Sequence, residues 1–513
     1  MMYVFLAATA LSTGFSLRAW QRGQYGQGLL WLMGAAFALR LLMAGLDPFL
    51  HDWDERFHAI VARNLMTEPL RPRLHPMPLL PYEFQAWCCN YVWLHKQPLF
   101  MWQMALSMKL FGVNELALRL PSALLSTLLL YPVYRTGTLI FNRDAGYLSA
   151  LLATFAFYQL EQVSGLIGMD HNDVAFTCYV TASVWAYYEY QASGHPWRWA
   201  LAVGGLAGAA VLCKWLVGLV VFAVWGLALL LNPVRRKQAG AYGQLLVAAA
   251  LAGLVFLPWQ FYAAWRFPME SAYERGYNAR HFTEALEGHA EPWYYHFQLI
   301  PIHYGFVAFL IGAGVALAWR MHRRRPWGPA LGAIGIVYLF FSLAATRMYS
   351  YAYVVSPLLL VFGGLALDHA HRWLAARKSH PAPWLTVGAL VVVLISSRPW
   401  GIIAVHFQEG AYGLHQMPLN RQVRTANAAL YRQLAREVPP SYTIFNSPSG
   451  SEVDVMFYSG RNAYSWLPSE ADMSRLNAAG ARFAFFPDFP GQSLPPFART
   501  LPGSIVIWGT PQQ

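Results

Sequence analysis

Three carboxylates fall within four residues near the start of this 513-residue chain, at Asp52, Asp54 and Glu55. They follow an apolar run that ends near Leu46. A carboxylate can abstract a proton from a hydroxyl group or balance a developing positive charge, so the cluster is a candidate for general base chemistry. A solvated loop at a membrane surface is the alternative interpretation of the same residues.

Other ionisable groups stand beside the apolar runs and could work with these acids: Lys96, Asp170, Asp173, Lys214 and Arg347. Lysine and arginine can bind the anionic phosphate of a leaving group. Simpler roles remain open for them. A lysine at a helix end can extend to the membrane surface, and Asp173 is well placed to cap the helix that begins at the next residue.

The composition indicates a helical membrane protein. The chain is 56% hydrophobic and 12% charged, with a mean hydropathy of +0.32. Repeated apolar runs of about 15 to 22 residues are typical of a polytopic protein. Arginine and lysine collect in cytoplasmic loops, so we interpret the net charge of +12 as a topology signal and predict no nucleic-acid partner.

The apolar runs predict about twelve transmembrane helices. The first has no basic residue ahead of it and is followed by Arg18 and Arg22, which indicates a retained helix whose C-terminal end is cytoplasmic. The second then crosses outward and places Asp54 on the extracytoplasmic side. The predicted spans are about 2–17, 29–46, 120–141, 146–160, 174–190, 197–212, 215–231, 242–259, 297–318, 328–345, 352–367 and 384–405.

This alternation places nearly every basic cluster on the cytoplasmic side, which supports the assignment because the spans follow from hydropathy and not from charge. The first outer loop, 51–119, contains no full span, but 57–66 and 99–111 are predicted to be helices along the membrane surface.

The tail after residue 405 loses the long apolar runs and is predicted to form a small extracytoplasmic α/β domain. The predicted domains are therefore 1–405 and 406–513. Within the second, the predicted strands are 442–445, 455–458, 482–486 and 504–508, and the predicted helices are 423–436 and 469–479.

Several motifs occur in order between residues 29 and 370: Asp54-Glu55 with Ala62-Arg63, His95-Lys96-Gln97-Pro98, 110–115 with 119–122, Asp173 with Thr177 and Thr181, 212–214 with Gly218, 291–295, and Arg347 with Tyr349 and Pro357. In these motifs the sequence resembles the GT-C membrane glycosyltransferases, in the branch of the protein O-mannosyltransferases and the aminoarabinose transferases of lipid A. It departs from that family where His95 replaces a glutamate and Gln97 replaces a proline.

The resemblance implies an inverting transfer of a sugar from a polyprenyl-phosphate donor to an acceptor hydroxyl. It places this reaction on the periplasmic side of a bacterial inner membrane. The acceptor is expected to be a lipid, a glycan or a protein. The lipid phosphate is the leaving group and can be neutralised by lysine and arginine, so the resemblance implies neither a catalytic metal nor another cofactor.

The same resemblance assigns roles by position. Asp54 would be the general base, with Glu55 beside it, and either Asp173 or Asp170 would be a second acid that orients the acceptor or the sugar. The donor phosphate would be held by Lys96, helped by Arg347 and Lys214. Tyr349, Trp293 and Tyr294 are candidates for contact with substrate, although an interfacial aromatic belt also explains exposed aromatic residues.

Imidazole and thiolate groups in the first outer loop are suited to zinc: His51, His58, His75, His95, Cys88 and Cys89. Their spacing follows no closed metal-binding pattern, so no metal site is predicted. A structural zinc or another divalent metal remains the alternative.

Two other classes of function fit a polytopic chain. A transporter would carry ionisable residues and broken helices near the middle of the bilayer, often in two related halves, but the predicted spans are nearly free of charge. A scaffold that binds a partner through its outer tail would leave the acids and lysines unexplained.

Overall fold

The computed structural model describes residues 2–86, 90–166, 171–321, 326–376, 401, 403, 406 and 420–512. Most of these residues are helical, as the apolar runs predict. The first nine helices are α1 (Met2–Gln21), α2 (Tyr25–Ala44), α3 (Asp54–Leu65), α4 (Leu99–Phe111), α5 (Glu115–Leu128), α6 (Leu130–Ile140), α7 (Arg143–Thr154), α8 (Phe157–Ser164) and α9 (His171–Ala192).

The next nine helices are α10 (Pro196–Lys214), α11 (Val220–Leu231), α12 (Ala239–Arg266), α13 (Pro268–Thr283), α14 (Tyr295–Gln298), α15 (Ile300–Tyr304), α16 (Val307–Arg320), α17 (Gly328–Leu343) and α18 (Ser356–Ala376). Short 3-10 helices cover Leu216–Leu219, Arg235–Lys237 and Tyr351–Val355. The C-terminal elements are α19 (Arg421–Glu437), β1 (Tyr442–Phe445), α20 (Glu452–Ser459), α21 (Glu470–Ala478), β2 (Arg482–Phe485), α22 (Pro496–Thr500) and β3 (Ile505–Val506).

Every predicted span that lies in the described residues falls largely on helix, in one to three pieces. Judged by length and composition, five helical stretches in the described part of the chain can cross a bilayer: Tyr25–Ala44, Glu115–Ile140, Pro196–Lys214, Ala239–Arg266 and Tyr351–Ala376. A bent pair, Tyr295–Tyr304 with Val307–Arg320, makes a sixth if it is one span. The number twelve therefore remains a prediction, and the last predicted span, 384–405, lies almost wholly outside the described residues.

The span predicted over 297–318 is not one continuous helix. The axes of the two helical pieces differ by 113°, and the break contains Gly305 with a φ of 52°. Glycine adopts such a φ at little cost, so the apolar run can continue while the helix stops. The span predicted over 146–160 is also interrupted, because α7 ends at Thr154 and α8 begins at Phe157.

Packing divides the chain into two compact units. Unit 1 comprises Met1–Ala44, Ser122–Ser164 and Met169–Ile403, and unit 2 comprises Gly45–Pro121, Gly165–Gly168 and Ala404–Gln513. Unit 2 therefore joins the predicted first outer loop to the C-terminal segment. The predicted boundary near residue 405 followed hydropathy rather than packing, and the domain bounds 1–405 and 406–513 stay a prediction.

Unit 1 is held together by helices that approach closely where a glycine leaves room. Gly314 of α16 lies against the backbone carbonyl of Phe362 in α18, and a side chain at Gly314 would overlap that carbonyl. Gly364 of α18 similarly lies against the backbone of Ala145 in α7. Small residues are common at such helix crossings because they allow van der Waals contact between backbones.

Unit 2 contains a parallel three-stranded sheet in the order β1-β2-β3, with Tyr442 paired with Arg482 and Ala484 paired with Ile505. Helix α19 buries Ala428, Tyr431 and Leu434, whose spacing of three residues places them on one face. The predicted helices 423–436 and 469–479 and the strands 442–445 and 482–486 are confirmed as secondary structure.

The strand predicted over 455–458 is wrong, because these residues belong to α20. A short buried apolar run cannot be assigned to helix or strand by periodicity alone. In the first outer loop the two predicted short helices are confirmed as α3 and α4, while their position at the membrane surface stays a prediction.

Candidate active site

Asp54 is the first residue of α3, and the backbone that presents it is strained. The preceding residue, Trp53, has a backbone φ of 63°, a value that residues other than glycine rarely adopt. The sharp turn at Trp53 allows α3 to begin at Asp54, whose side chain is only 10% exposed. An anionic group is favourable at this place because the N-terminal end of a helix carries partial positive charge.

Lys96 is the cationic partner of Asp54, with its Nζ 3.1 Å from Asp54 Oδ2. Burial raises the pKa of the Asp54 carboxyl, but the charge of Lys96, together with His58 and His95, lowers it more strongly. The pKa therefore lies below its ordinary value, and Asp54 is a carboxylate at neutral pH. The lysine is 42 residues away in sequence, so the fold of unit 2 brings together the two residues to which the resemblance gives the base and phosphate roles.

Glu55, the next residue, is fully buried and tightly bound. Arg119 donates two hydrogen bonds to its carboxylate, from Nε to Oε1 at 2.6 Å and from Nη2 to Oε2 at 3.0 Å. The backbone N–H of His51 donates a third, to Oε2 at 2.6 Å. Such a carboxylate has little capacity left for accepting a proton from a substrate, and Glu55 instead fixes the start of α3.

Arg119 also ties the loop before α3 in place, because it donates to the carbonyls of Asp47 at 2.9 Å and Phe49 at 2.7 Å. In the sequence this arginine stands in one of the motifs, but the motif assigns it no role. A charged residue inside an otherwise apolar segment was the signal available, since buried arginines are almost always paired.

A second carboxylate-lysine pair lies in unit 1. Asp173 is in the first turn of α9 and contacts Lys214, the last residue of α10. Ser350 donates a hydrogen bond to the other carboxylate oxygen at 2.8 Å, a contact that sequence reasoning missed. Lys214 also lies 5.0 Å from the centre of the Tyr351 ring. The competing candidate Asp170 lies outside the described residues.

The other predicted site residues of unit 1 are an arginine that holds a loop and three aromatic residues. The guanidinium of Arg347 donates to the backbone carbonyls of Glu291 and Ser342, so it holds the loop around it. Tyr349 packs at 4.6 Å from the ring of His303. Trp293 and Tyr294 are 66% and 43% exposed, which fits contact with lipid as well as with a sugar.

The residues suggested for zinc are dispersed, with one exception. His75 stacks on Tyr464, and His58 packs on Trp93 and Phe100, so these imidazoles are core residues. Cys88 and Cys89 lie outside the described residues.

The exception is His51, which lies within 4.8 Å of metal-ligating atoms of Asp47 and His406. Burial lowers the pKa of both imidazoles, to about 3 for His406.

Known proteins with similar sequences or structures support the helical membrane fold described above. The family described as dolichyl-phosphate-mannose-protein mannosyltransferase matches residues 95–262, which include Lys96, Asp173 and Lys214. The solved ArnT of Cupriavidus metallidurans, bound to undecaprenyl phosphate, aligns with a TM-score of 0.61 at 17% identity, over 87% of this chain and 90% of that one. The chain has the GT-C fold.

Another GT-C structure, the archaeal oligosaccharyltransferase AglB of Archaeoglobus fulgidus in complex with an inhibitory peptide and a dolichol-phosphate, aligns with a TM-score of 0.53 at 13% identity. That alignment covers 85% of this chain and 64% of AglB.

Among curated sequences, the undecaprenyl phosphate-alpha-4-amino-4-deoxy-L-arabinose arabinosyl transferase 1 of Pseudomonas fluorescens is 27% identical over 327 residues, 60% of this chain and 54% of that protein. A relative of the same activity name from Pseudomonas aeruginosa is 26% identical over 52% of this chain and 48% of its own length. The chain thus spans about half the length of the curated relatives it matches. The predicted resemblance to the mannosyltransferase and aminoarabinose transferase branch of GT-C proteins is confirmed.

Proposed function

We propose that this protein is a membrane glycosyltransferase that moves a sugar from a polyprenyl-phosphate donor to an acceptor hydroxyl. The reaction inverts the anomeric carbon and takes place on the periplasmic side of a bacterial inner membrane. The contact of the buried Asp54 with the partly buried Lys96 is the observation that carries the proposal. The undecaprenyl phosphate bound to the GT-C protein of Cupriavidus metallidurans supports the donor class.

Asp54 acts as the general base. Its carboxylate takes the proton of the acceptor hydroxyl while that oxygen attacks the anomeric carbon of the donor sugar. The bond between the anomeric carbon and the phosphate oxygen breaks on the opposite face, and the electron pair leaves with the polyprenyl phosphate. Lys96 neutralises the charge that develops on this leaving phosphate.

Donor binding gives the pair a second function. When the phosphate attracts Lys96, Asp54 loses part of its cationic partnership, and the burial that raises its pKa is no longer fully opposed. Asp54 then becomes a stronger base only when a donor is bound. This coupling would limit proton abstraction to the loaded enzyme.

The other groups have supporting roles. Glu55 and Arg119 position Asp54 by fixing the first turn of α3. Within unit 1, Asp173 is held by Lys214 and Ser350. The resemblance gives Asp173 the role of orienting the acceptor or the sugar and gives Lys214 the role of a second cation for the phosphate. Arg347 serves mainly to hold its loop, because its guanidinium already donates to backbone carbonyls.

The test uses the purified full chain in detergent with a panel of polyprenyl-phosphate sugars that includes undecaprenyl-phosphate aminoarabinose, the donor named in the curated relatives. Asp54→Asn removes the base and keeps its shape, so we expect kcat to fall by about 10²- to 10⁴-fold while donor affinity is retained. Asp52→Asn is the matched control in the same loop. Its carboxylate pairs with Arg56 and Arg424 near the surface, so kcat should change by less than about fivefold.

Lys96→Ala tests the phosphate role in the same assay. Loss of one charge-assisted contact costs about 1.5–3 kcal/mol, so the donor Kd should rise by about 10- to 150-fold. Wild-type turnover in Asp54→Asn would refute the base assignment. If the wild-type chain binds no donor of the panel, the transporter and scaffold alternatives become the better interpretations.

A further inference from the structure

We propose that Asp47, His51 and His406 form a zinc site in unit 2. The metal-ligating atoms of the three side chains lie within 4.8 Å of one another, and all three residues are buried. Two imidazoles and one carboxylate are a ligand set that zinc commonly adopts in proteins. No zinc-binding pattern is visible in the sequence, because His406 is 355 residues from His51 and Asp47 is not a residue that spacing singles out.

Asp47 already forms a hydrogen bond with one of the two imidazoles, that of His406, and the other imidazole has a nitrogen without a partner among the described residues. His51 Nε2 is 3.0 Å from Asp47 Oδ2, yet this nitrogen makes no hydrogen bond in the described part of the chain. His406 approaches the same carboxylate oxygen with its Nδ1. One oxygen and two imidazole nitrogens therefore converge on one point inside the protein, with a buried nitrogen that a metal ion would satisfy.

Arg421 supplies the support that ligating carboxylates usually have. It contacts the other carboxylate oxygen, Asp47 Oδ1, and donates to the carbonyls of Leu46 at 2.7 Å and His406 at 3.3 Å. This contact leaves Oδ2 directed at the imidazoles. Outer partners of this kind orient metal ligands and are part of most protein metal sites.

The proposed zinc would stabilise the loop that presents Asp54. His51 both provides a ligand and donates its backbone N–H to Glu55, while Arg119 donates to the carbonyl of Asp47. The metal would hold the chain on the N-terminal side of α3, and Glu55 holds the first turn itself. The site is thus structural, and its existence does not depend on which sugar the protein transfers.

The experiment measures metal content in the full chain, purified in detergent without chelator and dialysed against zinc. Elemental analysis should find about one zinc per chain in the wild type and less than about a tenth of that in His51→Ala and His406→Ala. The matched control is His75→Ala. His75 is a buried histidine of the same unit that stacks on Tyr464, so the His75→Ala variant should retain about one zinc per chain. Zinc retained by both His51→Ala and His406→Ala would overturn the assignment.

A second measurement does not depend on the folding of variants. The wild-type chain is stripped with a chelator and titrated with Co²⁺, which should produce the visible absorption of a four- or five-coordinate nitrogen and oxygen site and raise the melting temperature. Subsequent addition of Zn²⁺ should remove the absorption, as zinc binds such sites more tightly than cobalt does. Absence of both zinc and the cobalt absorption in folded wild-type protein would refute the proposal.

Discussion

At the scale of single residues, the pKa of the Asp54 carboxyl is set by two opposing influences. Burial raises the pKa of its carboxyl, and Lys96 with two nearby imidazoles lowers it to below the ordinary value. Lys96 is the charge that lowers this pKa most, so the pKa of Asp54 should rise when the lysine is removed. A base with a higher pKa becomes protonated, and therefore inactive, at a higher pH.

The pH dependence of turnover should change because the pKa of Asp54 rises when Lys96 is removed. In Lys96→Met the acidic limb of the kcat profile should move to higher pH than in the wild type, with saturating donor used to compensate for weaker binding. The control is Lys109→Met, which removes an exposed lysine of α4 and should leave the limb in place. An unshifted limb in Lys96→Met would mean that Asp54 is not the group that titrates.

Asp54 and Glu55 are neighbours with the same chemical group, and the structure gives them different environments. Whether an acid is a base or a structural anchor depends on its tertiary partners, so the pairing of Glu55 with Arg119 could not be predicted from spacing. The contact of Lys96 with Asp54 could not be predicted from sequence spacing alone either. The cluster of carboxylates makes Asp54 a candidate and the place beside an apolar run makes Lys96 one, and the resemblance to a family gives each residue its role.

Glu55→Gln should destabilise the protein by about 3–5 kcal/mol, because it leaves the buried charge of Arg119 without its partner. Unfolding by denaturant in detergent measures this change. The double variant Glu55→Gln with Arg119→Met should be more stable than the sum of the two single changes, as expected of coupled residues. Strict additivity would contradict the pairing.

At the scale of elements, the turn at Gly165 is built around Glu55. Gly165 has a φ of 82°, and a methyl group there would overlap Glu55 Oε1. Both features require glycine, because other residues are strained at this φ and the carboxylate has no room to retreat from Arg119. A turn that follows α8 therefore contributes to the position of α3 within unit 2.

Gly165→Ala should cost about 1–3 kcal/mol of stability from the strained backbone, together with a fall in kcat as Glu55 shifts and moves Asp54. Melting temperature and kcat are compared with those of Gly194→Ala. Gly194 lies in the loop between α9 and α10, has an ordinary φ and has nothing within 4 Å of an added methyl group. Equal behaviour of the two variants would show that Gly165 has no special role.

Element identity was predictable where apolar runs were long, and less so where they were short. Runs of 16 or more residues could only be helices in a membrane protein, and they are helical where described. The four residues 455–458 have the composition of a strand, but α20 forms there between Ser451 and Gly460, which ends the helix with a φ of 70°. The break at Gly305 was missed because hydropathy does not report backbone dihedrals.

At the scale of the whole molecule, composition predicted a helical membrane protein, and packing could not be predicted in the same way. Hydropathy separates the chain near residue 405, whereas contacts join 45–121 to the C-terminal segment in unit 2. Long-range pairings such as Asp47 with Arg421 create that unit, and nothing in the local sequence of either residue indicates its partner. Sidedness, in contrast, depends on charge distribution and can be tested directly.

The proposed topology places the C-terminal segment in the periplasm and the basic loop at Arg235–Lys237 in the cytoplasm. In a background with Cys88 and Cys89 changed to serine, Trp508→Cys introduces a thiol at a side chain that is 97% exposed. A membrane-impermeant maleimide should label it in intact spheroplasts. The native Cys178 and Cys213 are buried and should contribute little labelling.

Arg236→Cys, at an exposed position of the basic loop, should be labelled only after lysis, because the charge pattern assigns this loop to the cytoplasm. The two variants control for each other, since each thiol is exposed on the protein and differs only in the predicted side of the membrane. Labelling of Arg236→Cys in intact spheroplasts, with protection of Trp508→Cys, would invert the topology. The acids and lysines proposed for catalysis would then face the cytoplasm, and a donor presented on the periplasmic side could not reach Asp54.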